Sequence, residues 1–179
     1  LNPDRRTSTL TLRHLLGMTA GFDVNDRTGT APALSPAQAW ARPLGAAPGE
    51  RFAYDNSIPP LIVAVLEKVT GQPVAGLAQD QLFNPLAMRA PQLANGRLQL
   101  RTEDMAKLGQ LLLSDGAWNG QALLMADVAS QIRQPASAGG APVGLPYGLS
   151  WWTASADTYF ASGWGGQLVW VYRPMGLVV

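Results

Sequence analysis

The stretch Pro48-Gly49-Glu50-Arg51-Phe52-Ala53-Tyr54-Asp55-Asn56 decides how the chain is read. A Pro-Gly turn and a short polar-apolar run lead to a tyrosine and an asparagine two residues apart, directly ahead of a helical pattern. Such a pair at an element boundary has two readings. Tyr54 and Asn56 are a proton-transfer group and an amide set beside each other for chemistry, or Tyr54 is a half-buried aromatic and Asn56 the cap of the next helix. Asp55 between them reads as a solvated turn residue, and its carboxylate would resist formation of a phenolate next door.

Downstream, Ile58, Leu61, Ile62, Val65, Leu66 and Val69 recur at helical spacing. Pro59 and Pro60 fit the first turn of that helix and Gly71 its stop, with the apolar face expected to be buried. Residues 73–83 read as another helix, ended by Asn84-Pro85. A short strand, Leu98 to Leu100, precedes a helix that takes Thr102 as N-cap. Glu103 and Asp104 lie in its first turn and Met105, Leu108, Leu111 and Leu112 on its inner face. Trp118-Asn119-Gly120 is a turn, and 124–133 a further helix. Upstream, residues 1–9 are polar and expected to be loose. Thr11 caps a short helix carrying Leu12, Leu15 and Leu16, and Asp23 to Pro48 is a long surface excursion with one short helix around Pro36 to Ala41. An excursion of that length often borders a site.

From Tyr147 the pattern changes to alternation. Tyr147–Thr153, Thr158–Trp164, Gln167–Tyr172 and Gly176–Val179 read as strands, with Arg173-Pro174-Met175-Gly176 as a turn. Connections this short imply antiparallel pairing. The expected fold is therefore α+β: a helical region over residues 1–146 and antiparallel strands of an incomplete sheet over 147–179, together one truncated domain.

The 179 residues are 47% hydrophobic and 14% charged, with a net charge of +1 and 13 basic residues scattered along the chain. Phosphate binding needs clustered Lys and Arg, so a nucleic-acid partner is not expected. No apolar run approaches the roughly 18 to 20 residues of a membrane helix. Cysteine is absent and His14 is the single histidine, which argues against thiol chemistry and a histidine-rich metal site. Neither metal nor cofactor is expected. The compartment is open, with a periplasmic or secreted location as compatible as a cytoplasmic one. The opening Leu1 and closing Gly176-Leu177-Val178-Val179 read as the ends of a piece of a longer protein.

Several stretches in fixed order carry a family resemblance. Thr11 through Gly21, Pro48-Gly49 through Tyr54-Asp55-Asn56 with its helix to Gly71, and Asn84-Pro85-Leu86-Ala87-Met88 resemble the serine β-lactamase-related family. So do Arg101-Thr102-Glu103-Asp104-Met105-Ala106-Lys107-Leu108-Gly109, Tyr147-Gly148-Leu149-Ser150-Trp151-Trp152, and Ala161-Ser162-Gly163-Trp164-Gly165-Gly166-Gln167. That family holds class C β-lactamases, penicillin-binding DD-peptidases, esterases and 6-aminohexanoate-dimer hydrolases. The last segments most resemble its hydrolase and esterase side. The resemblance implies a β-lactamase/transpeptidase-like fold and cleavage of a small-molecule amide or ester through an acyl-serine intermediate. A non-catalytic binding or sensor relative of the penicillin-binding fold is the alternative.

In such enzymes the nucleophile lies in a Ser-x-x-Lys motif. Here the only lysines are Lys68 and Lys107, and Val65 and Asp104 stand three positions before them. The resemblance thus implies that the nucleophile and the adjoining N- and C-terminal parts of the fold belong outside this stretch, which alone should not turn over. It places Tyr54 as the base that activates the serine, given a cation to lower its phenol pKa, and Asn56 on the substrate's amide or ester side. The family's third element is a Lys-Thr-Gly or His-x-Gly strand, for which Trp164-Gly165-Gly166 is the best match here. The N–H of Gln167 would then complete an oxyanion hole. A slip of one or two residues would bring Ser162 or Gly163 there, and a simple bend at Gly165-Gly166 is the other reading. Without a cation at this element a penicillin-type substrate is disfavoured.

Ser162 is no nucleophile elbow, because Phe160 stands where glycine is required. Gly163-Trp164-Gly165 lacks a Rossmann unit around it. His14 reads as a hydrogen-bonding residue of its helix. Trp151, Trp152 and Trp170 read as core and sheet-face residues rather than a sugar platform.

Overall fold

The computed structural model describes residues 2–24, 31–94, 97–163 and 165–179. Its centre is a six-stranded antiparallel meander: β5 (Ser137–Gly140), β6 (Leu145–Tyr147), β7 (Trp152–Ser155), β8 (Thr158–Ser162), β9 (Leu168–Tyr172) and β10 (Leu177–Val178), in the order β10-β9-β8-β7-β6-β5. Two small hairpins lie outside it, β1 (Gln92–Ala94) with β2 (Arg97–Gln99) and β3 (Ala117–Trp118) with β4 (Gln121–Ala122).

Both faces of the sheet are covered, so consecutive residues of one strand are buried on opposite sides. On one face Trp152 pairs across to Phe160, and Phe160 to Trp170, whose rings stack at 4.5 Å. This face meets α1 (Leu12–Leu16) and α3 (Ile58–Thr70) through Leu15, Met18, Phe22, Ile58 and Leu61. On the other face Tyr159 and Val171 pack with Leu112 of α5 (Thr102–Leu113) and with Ile132 of α6 (Ala126–Arg133). Gly109 of α5 lies so close to Val178 and Val169 that a side chain there would collide with both, and this brings α5 down onto the β9–β10 edge.

The helices form where their signals lie. Thr11 caps α1, with the His14 ring returning a bond to the Thr11 N–H, so His14 is a structural residue of that box. Helix α2 (Pro36–Ala41) starts with a Ser35 cap and a proline in its first turn. Gly71 ends α3 with φ 68°, a left-handed stop that glycine adopts freely. Helix α4 (Val74–Ala78) runs on as one π-helical segment, Gln79–Phe83. Among the described residues no single helix is long and apolar enough to cross a membrane.

Several expectations are corrected. Residues 1–9 are not loose throughout: Arg5–Thr9 is a 3-10 turn, held because Asp4 accepts from the Arg6 N–H and its side chain pairs with the Arg6 guanidinium. Helix α3 is buried on its apolar face only in its first half, at Ile58 and Leu61, while Val69 is exposed, because the core meets only the end of α3 nearest the sheet. Arg101, not Thr102, occupies the cap position of α5. The strand expected over Tyr147–Thr153 is two strands. Gly148 N–H bonds back to Trp151 carbonyl at 2.7 Å, Ser150 takes a left-handed φ of 66°, and its N–H reaches Leu16 carbonyl. The packing of this turn on α1 outweighs the strand preference of its aromatics. Strand β5, rich in small residues, has no strand-like sequence pattern.

Candidate active site

Residues 49–53 are laid along the chain that leaves α1. Gly49 N–H donates to Thr19 carbonyl at 2.7 Å and Ala53 N–H to Met18 carbonyl at 2.9 Å. Gly49 has φ 87°, and a β-carbon there would come within 3.2 Å of the His14 ring, so both conformation and space call for glycine. Tyr54 therefore emerges at a defined point, one residue beyond the last of these bonds.

Its ring is half-buried in an aromatic cluster. It stacks on Trp152 with ring centroids 5.8 Å apart and planes 13° apart, and meets Tyr147 edge-on at 6.1 Å. Phe52 closes the cluster against Tyr147 and Trp152. Burial raises the Tyr54 phenol above its ordinary value of 10.0. Tyr147 is raised much further, by burial first and by the neighbouring Tyr54 second. Both phenols are thus held neutral by the surrounding rings.

Asp55 is not a solvated turn residue. It is buried, with one carboxylate oxygen 2.5 Å from Arg42 Nη2 and the other accepting the Ser57 N–H at 2.8 Å. Arg42 reaches it from the excursion, thirteen residues upstream, a pairing no local pattern reveals. Asn56 is not the helix cap either. Ser57 holds that position, and the Asn56 carboxamide donates to Ala31 carbonyl at 2.9 Å. Tyr54, Asp55, Asn56 and Arg42 line one cavity of about 180 Å³ whose other wall includes Asp23, Ala31, Pro32 and Leu34.

Trp164 lies outside the described residues. Gly165 and Gly166, with φ 85° and 89°, turn the chain between β8 and β9, and the turn is closed by Gly163 N–H to Gln167 carbonyl at 2.9 Å. The two glycines thus make a bend. Gln167 lines a different cavity, with Leu98, Leu100, Met105, Leu108 and Val169. Tyr54 and Asn56 are brought together on one cavity, whereas Gln167 belongs to a separate one. Of the tryptophans, Trp152 is core and Trp170 a sheet-face residue. The site residues that sequence reasoning missed are Arg42 and Trp152 in its stacking role. Trp152 had a signal, its place in the aromatic run, but its partner could not be named. Among the described residues no three His, Asp or Glu side chains gather as a metal site would require.

No curated protein sequence matches the chain. Among solved structures it is similar to a Bacteroides dorei protein assigned as a β-lactamase, at 18% identity and TM-score 0.79 over 98% of this chain and 64% of that one. It is also similar to a Bacillus anthracis protein assigned as a 6-aminohexanoate-dimer hydrolase, at 20% identity and TM-score 0.72 over 94% and 54%. A penicillin-binding protein homologue of Caulobacter crescentus matches at 14% identity and TM-score 0.71 over 94% and 63%. Identities this low speak for the fold alone, and the chain spans less than two thirds of each of these structures. The fold is that of the β-lactamase/transpeptidase type, mixed helices around an antiparallel sheet. The β-lactamase family model matches residues 1–179, and this chain therefore belongs to the β-lactamase family, whose members are hydrolases.

Proposed function

We propose that the protein containing this chain is a serine hydrolase that cleaves a small amide or ester through an acyl-serine intermediate, with Tyr54 as base and Asn56 as the amide that orients the substrate. The observation that carries this reading is the shared cavity at the head of α3, where a ring clamped by Trp152 and a carboxamide two residues on face the same space. In acylation the serine Oγ bonds to the substrate carbonyl carbon while Tyr54 takes the hydroxyl proton. Tyr54 then returns that proton to the leaving amine or alcohol as the C–N or C–O bond breaks, and water hydrolyses the acyl-serine. The family resemblance assigns Trp164-Gly165-Gly166 and the N–H of Gln167 to the third element in this reading, while Gln167 lines a cavity separate from that of Tyr54 and Asn56.

A burial-raised phenol is a weak base source at neutral pH, so Tyr54 needs a cation at its hydroxyl, which the lysine of a Ser-x-x-Lys motif would supply. The same raised phenol, with burial as its cause, is the observation that favours the second reading, a binding or sensor relative. The test has two arms. A fluorophosphonate probe or a p-nitrophenyl ester should give neither labelling nor a burst with the 179 residues alone, and stoichiometric labelling would overturn the assignment of the nucleophile. A form extended to the length of the structural relatives should label at one serine and lose roughly 10²- to 10⁴-fold in kcat on Tyr54→Phe. An extended form that neither labels nor turns over would decide for the binding reading.

A further inference from the structure

The excursion upstream of Tyr54 is tied to the turn that follows it by side chains whose role the proposed chemistry leaves unassigned. Arg42, at the end of α2, reaches Asp55 with Nη2 at 2.5 Å while its Nε–H donates to the Ala39 carbonyl at 3.2 Å. Its guanidinium also lies over the Phe22 ring at 5.1 Å, which leaves the side chain only 15% exposed. Asp55 uses its second oxygen on Ser57 N–H, the Ser57 hydroxyl accepts the Leu34 N–H at 3.0 Å, and Asn56 holds Ala31 carbonyl. The three residues Asp55, Asn56 and Ser57 thus each hold a different point of the excursion. Tyr54 is the next residue back, with its ring stacked on Trp152.

We propose that the Arg42–Asp55 pair is a positioning device. It fixes the Tyr54–Asn56 turn against α2 and the 31–34 segment, so that the phenol and the carboxamide face one cavity at a set separation. A surface turn would not need this. An exposed Asp-Arg pair contributes little and pays side-chain entropy, whereas this one is closed over by Phe22 and bonded at every available oxygen of Asp55. The geometry matches what a proton-transfer residue requires, since a misplacement of about 1 Å can cost on the order of 100-fold in rate. The proposal rests on the reading of Tyr54 as base.

The test reads geometry and turnover separately. In the form extended to the length of the structural relatives, Tyr54 ring protons should show nuclear Overhauser contacts to Trp152, as should Tyr147, whose ring lies 4.7 Å from the same indole. In Asp55→Asn and Arg42→Met the Tyr54–Trp152 contacts should weaken by half or more, and the Leu34 amide should exchange about tenfold faster, while the Tyr147–Trp152 contacts persist. Arg42→Lys, which retains the charge and is the milder change, should fall between these and the parent. Unchanged Tyr54–Trp152 contacts in both stronger variants would overturn the proposal. So would their loss together with the Tyr147 contacts, which would mark a general loosening of the core. In the extended form, Arg42→Met should lower kcat roughly 10- to 100-fold with KM within about threefold, and an equal rise in KM with kcat unchanged would also overturn it. Unaltered turnover in Tyr54→Phe would instead remove the base assignment, leaving the geometric result intact.

Discussion

Trp152 stacks on Tyr54 with the ring planes 13° apart and the centroids 5.8 Å apart, joining the first strand after the Gly148–Trp151 turn to the turn that precedes α3. Two segments almost a hundred residues apart are thereby held in one cluster. Trp152 is 1% exposed and also touches Tyr147 and Phe52.

Removing that indole should therefore act on both stability and the site. Trp152→Ala is expected to cost about 3–5 kcal/mol in urea unfolding, as large-to-small core changes do. A loss below about 1 kcal/mol would mean that the cluster repacks around the gap.

The alkaline limb of stability should be steep. The phenols of Tyr54, Tyr147 and Tyr159 are each raised from 10.0 in the folded protein, with burial the first cause in all three. A raised acid stays protonated when folded while the unfolded chain ionises. The stability is therefore present in full below the ordinary value and is lost as the pH rises through it and on towards the raised ones. The melting temperature should fall between about pH 9 and 11, near the ordinary phenol range, and Tyr147→Phe should flatten that fall. An equal slope in Tyr147→Phe would place the loss elsewhere.

The acid limb has a different origin. Asp104, buried in α5, is held below its ordinary 3.8, first by the bond from Lys107 and also by the Arg89 N–H. Asp115 is lowered as well, first by the bond from Arg173 and further by the charge of Arg133. For lowered carboxyls the stability is present above the ordinary value and is lost as the pH falls through it towards the lowered ones. Asp104→Asn should flatten the decline seen by circular dichroism below about pH 4, and an unchanged acid limb would remove Asp104 from the account.

Gly148 predicts a failure of backbone room. A β-carbon there would sit 2.2 Å from the Ile132 carbonyl oxygen and 2.8 Å from that of Gln134. Because the obstacles are main-chain atoms of α6 and the residue that follows it, Gly148→Ala should destabilise by about 1–3 kcal/mol or more. A neutral result in chemical denaturation would show that α6 can withdraw from the sheet.

Much of the helical half was legible because its signals are local. Thr11, the proline-led start of α2, the Pro59-Pro60 entry and Gly71 each act within one turn of chain, so α1, α2 and α3 lie where the residues put them. The juxtaposition of Tyr54 and Asn56 was legible for the same reason, being two residues apart in a turn. The burial of Asp55 was not. It depends on Arg42 arriving from the far side of an excursion, and a turn aspartate carries no mark of that. Likewise the run from Tyr147 to Trp152 is strand-like in composition, and only the close approach to α1 turns it at Gly148–Trp151.

By itself the sequence determined the ends of α1, α2 and α3, the antiparallel run from β8 to β10 and the Tyr-Asp-Asn turn, because caps, alternation and turn chemistry are short-range. Tertiary structure alone decided that the phenol of Tyr54 is raised rather than lowered. The direction of a pKa shift depends on what packs against the group, and here Trp152 and Tyr147 remove water from Tyr54 and bring no positive charge with them.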